Sequence, residues 1–95
     1  MPQPLRSTDA NLDVLELWLH IARHDIPAAD RLVDEIETKC DLLAQMPELG
    51  RRRDELQVGL RSFAVRGYII LYRPIPDGVR VMRIIHGSQD LTRIF

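Results

Sequence analysis

Residues 59–86 read GLRSFAVRGYIILYRPIPDGVRVMRIIH, and this stretch decides the fold. β-Branched, aromatic and other apolar side chains dominate it, and it is cut at Gly67 and again at Pro76-Asp77-Gly78. Both interruptions are turn chemistry, because glycine enters backbone conformations closed to other residues and a Pro-Asp-Gly run reverses a chain readily. The spacing predicts three strands near 60–66, 68–74 and 79–86, paired as an antiparallel meander. Alternation puts Ile69, Leu71 and Arg73 on one face of the second strand and Tyr68, Ile70 and Tyr72 on the other. By the same rule Val81, Arg83 and Ile85 oppose Met82, Ile84 and His86, so Arg83 and His86 should diverge unless a bulge intervenes.

Upstream of this stretch the apolar period lengthens from two to between three and four. Ala29, Leu32, Val33, Ile36, Cys40, Leu43 and Ala44 form one stripe, with Asp30, Asp34, Glu37 and Asp41 lying elsewhere. That pattern predicts a helix from Pro27, where a missing amide costs nothing, to Met46, just before Pro47. An earlier helix over about 9–24 is capped by Ser7 or Thr8, with Leu12, Leu15, Trp18 or Leu19, and Ala22 as its buried face. Trp18 is expected to be a core aromatic bridging helix and sheet, Cys40 a small buried hydrophobe, and His20 and His24 surface residues.

The two helices meet at Asp25-Ile26-Pro27 as a hairpin. Gln3 to Ser7 is expected to be an edge strand, since Pro2 and Pro4 are tolerated only where an amide faces no partner. Pro47 to Gly50 reads as a turn and Arg51 to Glu55 as a charged loop, while Leu91, Ile94 and Phe95 suggest a short C-terminal helix on the sheet. The fold class is α+β, with an N-terminal helical hairpin packed on a small antiparallel sheet. At 95 residues the chain holds one small domain, residues 1–95.

The composition excludes several classes. A 45% hydrophobic and 28% charged chain is ordinary for a globular protein, and no stretch approaches the roughly 20 apolar residues of a membrane helix. The start, Met1-Pro2-Gln3-Pro4, does not resemble a signal peptide, and a single cysteine cannot form an internal disulfide, so a reducing cytoplasm is the expectation. Three scattered histidines and one cysteine lack metal-ligand spacing, and there is no glycine-rich phosphate loop, so no cofactor or metal is implied.

Charge is distributed unevenly. Residues 1–50 carry 4 basic and 10 acidic side chains, a net of −6, whereas residues 51–95 carry 9 arginines against 4 acidic residues, a net of +5, with no lysine. The asymmetry suits a polyanionic or acidic partner, or equally a solvated basic face with none. Arginine's planar fork bonds carboxylates and phosphates in bidentate fashion, which leans toward recognition.

Five stretches together resemble the ParE/RelE toxin superfamily, nearest its ParE plasmid-stabilisation branch. They are Asn11-Leu12-Asp13 through Leu17 to Ala22; Pro27 to Leu32; Met46-Pro47-Glu48-Leu49-Gly50-Arg51; Gly59 to Phe63 with Tyr68 to Arg73; and Arg83-Ile84-Ile85-His86-Gly87 to Asp90-Leu91. They fall in the family's order and cover nearly the whole chain; the departure is the N-terminus, where Pro2 and Pro4 shorten the strand with which members usually open. The resemblance implies the toxin of a type II toxin-antitoxin system, assembled with a cognate antitoxin that lays a helix on the hairpin and a strand along the sheet edge.

For the target, the resemblance offers two activities and a bland third. As a gyrase poison the chain needs no catalytic residues and would contact its target through Arg61, Arg73, Arg80, Arg83, His86 and Arg93. As a ribosome-dependent mRNA endoribonuclease it would draw acid, base and phosphate contacts from Arg61, Arg66, Tyr72, Arg73, Arg83 and His86. His86 serves as readily as a structural residue closing the sheet. The slightly acidic net charge of −1 favours gyrase, since attraction to ribosomal RNA calls for a basic protein. The third reading is a non-toxic relative that only binds antitoxin.

Overall fold

Gln3–Arg6 (β1) leads into the helix Thr8–Ala22 (α1), which a short break joins to the longer helix Ile26–Gln45 (α2). A 3-10 turn at Pro47–Leu49 and the two-residue strand Arg51–Arg52 (β2) follow, then Arg61–Val65 (β3), Tyr68–Ile75 (β4) and Gly78–His86 (β5). This computed structural model describes residues 2–95.

Local chemistry sets the boundaries. Ser7 caps α1, its hydroxyl accepting from the Ala10 amide at 3.0 Å, and Asp25 caps α2 through the Ala28 amide at 3.0 Å. Between β3 and β4, Arg66 (φ 47°) and Gly67 (φ 82°) both have positive φ, the backbone of a tight two-residue hairpin turn.

The sheet runs β1-β5-β4-β3-β2. The meander β3-β4-β5 is antiparallel as the sequence suggests, but β1 lies parallel to β5, so the sheet is mixed. β1 occupies an edge, as Pro4 requires. β2, within the stretch read as a loop, closes the other edge, and two residues give too short a pattern to recognise. The expected C-terminal helix shrinks to one 3-10 turn, Leu91–Arg93, capped by Asp90.

The helices cover one face of the sheet. There Leu17, Leu32, Ile36, Cys40, Leu43, Val65, Ile70, Tyr72, Val79, Val81 and Ile84 form the main core. The other face holds a smaller cluster, Leu60, Leu71 and Ile85, sheltered by Leu56, Met82 and the tail residues Leu91, Ile94 and Phe95.

The α2 stripe is buried as read, but the phase of α1 differs. Ala10 and Leu17 are buried with Val14 and Ile21 packed beside them, while Leu12, Leu15 and Leu19 face solvent. Two apolar stripes compete on this helix, and Asp13 decides between them by anchoring the helix to β5. Trp18 is likewise not a core bridge to the sheet: it is half-buried on the hairpin, its indole N–H donating to Asp30 Oδ1 at 2.8 Å.

Candidate functional site

The residues singled out in the sequence divide among several places. Arg83 and His86 take opposite faces of β5, as alternation requires, Arg83 pairing with Leu71 and His86 with Tyr68, although both border one groove at the strand's end. Leu71 pairs with Arg83 but Tyr72 with Val81, so Met82 is bulged out and the face of every later residue on β5 reverses. Val81 and Ile84 therefore share the helix-covered core, and His86 stands opposite Tyr68.

The result is an open groove of about 280 Å³ between α1 and the end of β5, with Glu16, His20, Tyr68, Arg83, His86 and Gln89 in its lining. Tyr68 and His86 meet edge to face, ring centroids 5.4 Å apart. His86 Nδ1 accepts from the Ser88 amide at 3.2 Å and lies 2.6 Å from the Ser88 hydroxyl, so the neutral ring carries its proton on Nε2.

Arg83 is not at liberty in that groove. Its Nε and Nη2 donate to the two oxygens of Asp13 at 2.7 and 3.0 Å, and Asp13 also accepts from the Ile84 amide at 2.9 Å. The hydrogen-bonded Asp13 carboxylate raises the Arg83 guanidinium above its already high pKa. This pair joins helix to sheet and is occupied with that task.

Tyr72 is fully buried. Its hydroxyl donates to the Pro47 carbonyl at 2.7 Å and accepts from the Gly50 amide at 2.8 Å, and burial raises its pKa. A Cβ on Gly50 would strike the Tyr72 ring, so the glycine is what lets the turn approach. A phenol so engaged cannot reach a substrate, and Tyr72 leaves the list of catalytic candidates.

The remaining arginines separate by their partners. Arg66, in the β3-β4 turn, is paired with Glu35 of α2, and Arg93 lies 3.9 Å from Asp90. Arg52 is bound to Asp54 and Arg53 to Glu55; the Gly59 amide, with Arg52 second, holds the Asp54 carboxyl below its ordinary pKa, and Arg53 does the same for Glu55. Among the described residues Arg61 donates to the Glu48 and Gly50 carbonyls, and Arg73 to the Gln57 side chain. Arg80 makes no ion pair among the described residues and is exposed. The arginine-rich sheet surface expected from composition is thus present only in part.

Sequence reasoning missed Tyr68 and His20 in the groove, and the exposed leucines of α1. Tyr68 was out of reach because its position opposite His86 depends on the bulge. The leucines were legible as apolar but not as outward-facing. Among the described residues no group of three or more His, Cys, Asp or Glu side chains is placed to hold a metal, and no helix is long and apolar enough to cross a membrane.

Comparison with known proteins agrees with this architecture. The chain is 37% identical over 81 residues to "Toxin RelE3" of Caulobacter vibrioides, covering 84% of this chain and 88% of that one. It is 35% identical over 92 residues to "Toxin ParE3" of the same organism, covering 96% and 92%. To "Toxin ParE1" of Mycobacterium tuberculosis it is 28% identical over 91 residues, covering 94% and 93%. A solved structure, "Chromosomal ParDE TA system from P. aeruginosa", superposes with a TM-score of 0.75 at 19% identity over 90% of this chain and 96% of that one, which shows a shared fold. The family described as "ParE toxin of type II toxin-antitoxin system, parDE" matches residues 5–91, nearly the full set of elements from β1 to the tail. With a helical hairpin on a five-stranded sheet, and with this match along almost its whole length, the chain belongs to the ParE toxin family of type II toxin-antitoxin systems.

Proposed function

We propose that the chain is held silent by a cognate antitoxin that covers α1, and that it poisons DNA gyrase without catalysing a reaction when released. The observation that carries the first half is the outer stripe of α1. Leu12, Leu15 and Leu19 are 51%, 53% and 49% exposed at helical spacing, with Ile26 at 56% beyond them. A contiguous apolar row on a small domain is the kind of surface an amphipathic partner helix covers.

The target half is supported by dispersal. A ribonuclease needs base, acid and phosphate contacts converging on one scissile bond. Here Tyr72 is buried, Arg66 is tied to α2, Arg83 is tied to α1, and Arg61 and Arg73 line a different cleft from His86. A binding poison has no such requirement.

Purified toxin should inhibit gyrase supercoiling or make linear DNA accumulate, with antitoxin restoring activity; folded toxin that does neither sinks the reading. Leu15→Glu should abolish neutralisation by antitoxin while leaving the melting temperature unchanged.

A second reading has its own observation, the Tyr68, Arg83 and His86 groove together with the RelE-named relative. It makes the chain an mRNA endoribonuclease on the ribosome, for which His86→Ala should end transcript cleavage with the fold intact. Uncut mRNA on translating ribosomes dismisses it.

A further inference from the structure

Arg73 of β4 stands directly opposite Arg80 of β5. Both belong to the face turned away from the helices: Leu71, two residues before Arg73, is buried in the far cluster, and Val79 and Val81 on either side of Arg80 are buried in the helix-covered core. Side chains paired in this way are about 5 Å apart at Cβ, a separation at which like charges weaken a sheet. Folding alone gives no reason for two guanidinia at this place.

Among the described residues no carboxylate is ion-paired with either arginine. Arg73 bonds the Gln57 side chain, and its Nε is buried without an acceptor. The acidic residues nearby do not serve the pair. Arg73 lines an open cleft of about 420 Å³ together with Asp54, but Asp54 is already held by Arg52 at 2.7 Å and by the Gly59 amide at 2.9 Å. Arg80 lines a second cleft of about 290 Å³, where Asp9 borders it without forming an ion pair.

We propose that Arg73 and Arg80 clamp one carboxylate, carried on an acidic segment of a partner protein that lies across the far face with apolar side chains on both sides of the acid. The two oxygens of a carboxylate accept from both forks, the idle Arg73 Nε among the donors. The apolar flanks have matching surface. Val58, 81% exposed, shares the Arg73 cleft, and the half-buried Met82, Ile94 and Phe95 share that of Arg80. A nucleic-acid backbone fits less well, since it leaves those side chains uncovered and brings further phosphates toward Asp54 on one side and Asp9 on the other. The clamp lies across the sheet from the α1 stripe assigned to the antitoxin. It adds an interface to the proposed function and does not depend on the target being gyrase.

The test is an NMR titration of the arginine Nε–Hε signals of purified toxin, with neither gyrase nor antitoxin present. The probes are an N-acetylated, C-amidated peptide with one aspartate between leucines, the same peptide with asparagine in its place, and a short DNA duplex. The aspartate peptide should shift the Arg73 and Arg80 signals to saturation and leave those of Arg66 and Arg93 unmoved. The asparagine peptide should bind about tenfold more weakly. Arg80→Gln should weaken binding of the aspartate peptide about tenfold without lowering the melting temperature, because it removes a like-charge pair. No saturating shift, equal affinity for the asparagine peptide, or tighter binding of the duplex at these arginines would each overturn the proposal. So would a melting temperature lowered by Arg80→Gln, which would make the pair structural. Because the titration contains no gyrase, a toxin that fails to inhibit gyrase leaves a positive result standing, and a failed titration leaves the gyrase reading standing.

Discussion

The two faces of the sheet are built from the same strands but do different work. Toward the helices, Ile36, Leu43, Ile70, Tyr72, Val79 and Val81 are fully buried and make most of the core. Away from them, among the described residues, Leu60, Leu71 and Ile85 are the buried ones, under a tail whose Leu91, Ile94 and Phe95 are themselves half-buried. The first face therefore carries stability. The second, with Arg73 and Arg80 in its strands, is left available for contact. Alternation of side chains lets one sheet separate these demands.

The largest expected effect bears directly on that division. Leu43→Ala should cost about 3 kcal/mol in chemical denaturation, because it opens a cavity in the helix-covered core. Asp13→Asn should come next, at about 2 kcal/mol, since it breaks the bidentate bond to Arg83 and weakens the acceptor of the Ile84 amide. An Asp13→Asn variant as stable as wild type would mean that helix and sheet are joined by apolar packing alone.

A pH experiment probes the same face. Burial pushes the Cys40 thiol from 9.0 up to about 11, so the folded state holds its proton more tightly than the unfolded chain. Its contribution is then complete below pH 9.0 and lost as pH rises through about 11. The loss amounts to about 3 kcal/mol at most, at ~1.4 kcal/mol per pH unit over the span from 9.0 to about 11. Tyr72, also raised, adds a decline of the same sign at higher pH. Stability measured over roughly pH 8 to 11, the window that linkage marks, should fall less steeply in Cys40→Ala than in wild type. Equal slopes would mean the thiol is not shielded.

The smallest effect belongs to the far face. Phe95→Ala should cost about 1 kcal/mol or less, as its ring is only half-buried. A loss equal to that of Leu43→Ala would overturn the comparison and make the tail part of the core.

How much of this was legible depended on whether a local signal existed. The α2 stripe and the three meander strands follow from period and turn chemistry, and each lies within a residue or two of its expected bounds. On α1 the sequence holds two apolar stripes, and the bulkier leucines are the exposed ones, because a contact to Arg83, distant along the chain, fixes the rotation. The Met82 bulge leaves no local mark, yet it pairs His86 with Tyr68 and so creates the groove. For the arginines, composition told their number but not their partners. Whether each met a carboxylate was decided by tertiary placement, as Arg66 on Glu35 and Arg83 on Asp13 show.

The two outer strands have a consequence for a toxin released from its partner. β1 has four residues, with Pro4 lacking an amide, and β2 has two, both arginines. Neither margin offers a second copy a long ladder to extend, and at β2 two copies would bring guanidinium against guanidinium. The liberated protein is thereby discouraged from stacking on itself. A strand arriving from another chain is favoured at the β2 margin when it brings acidic side chains to those two arginines.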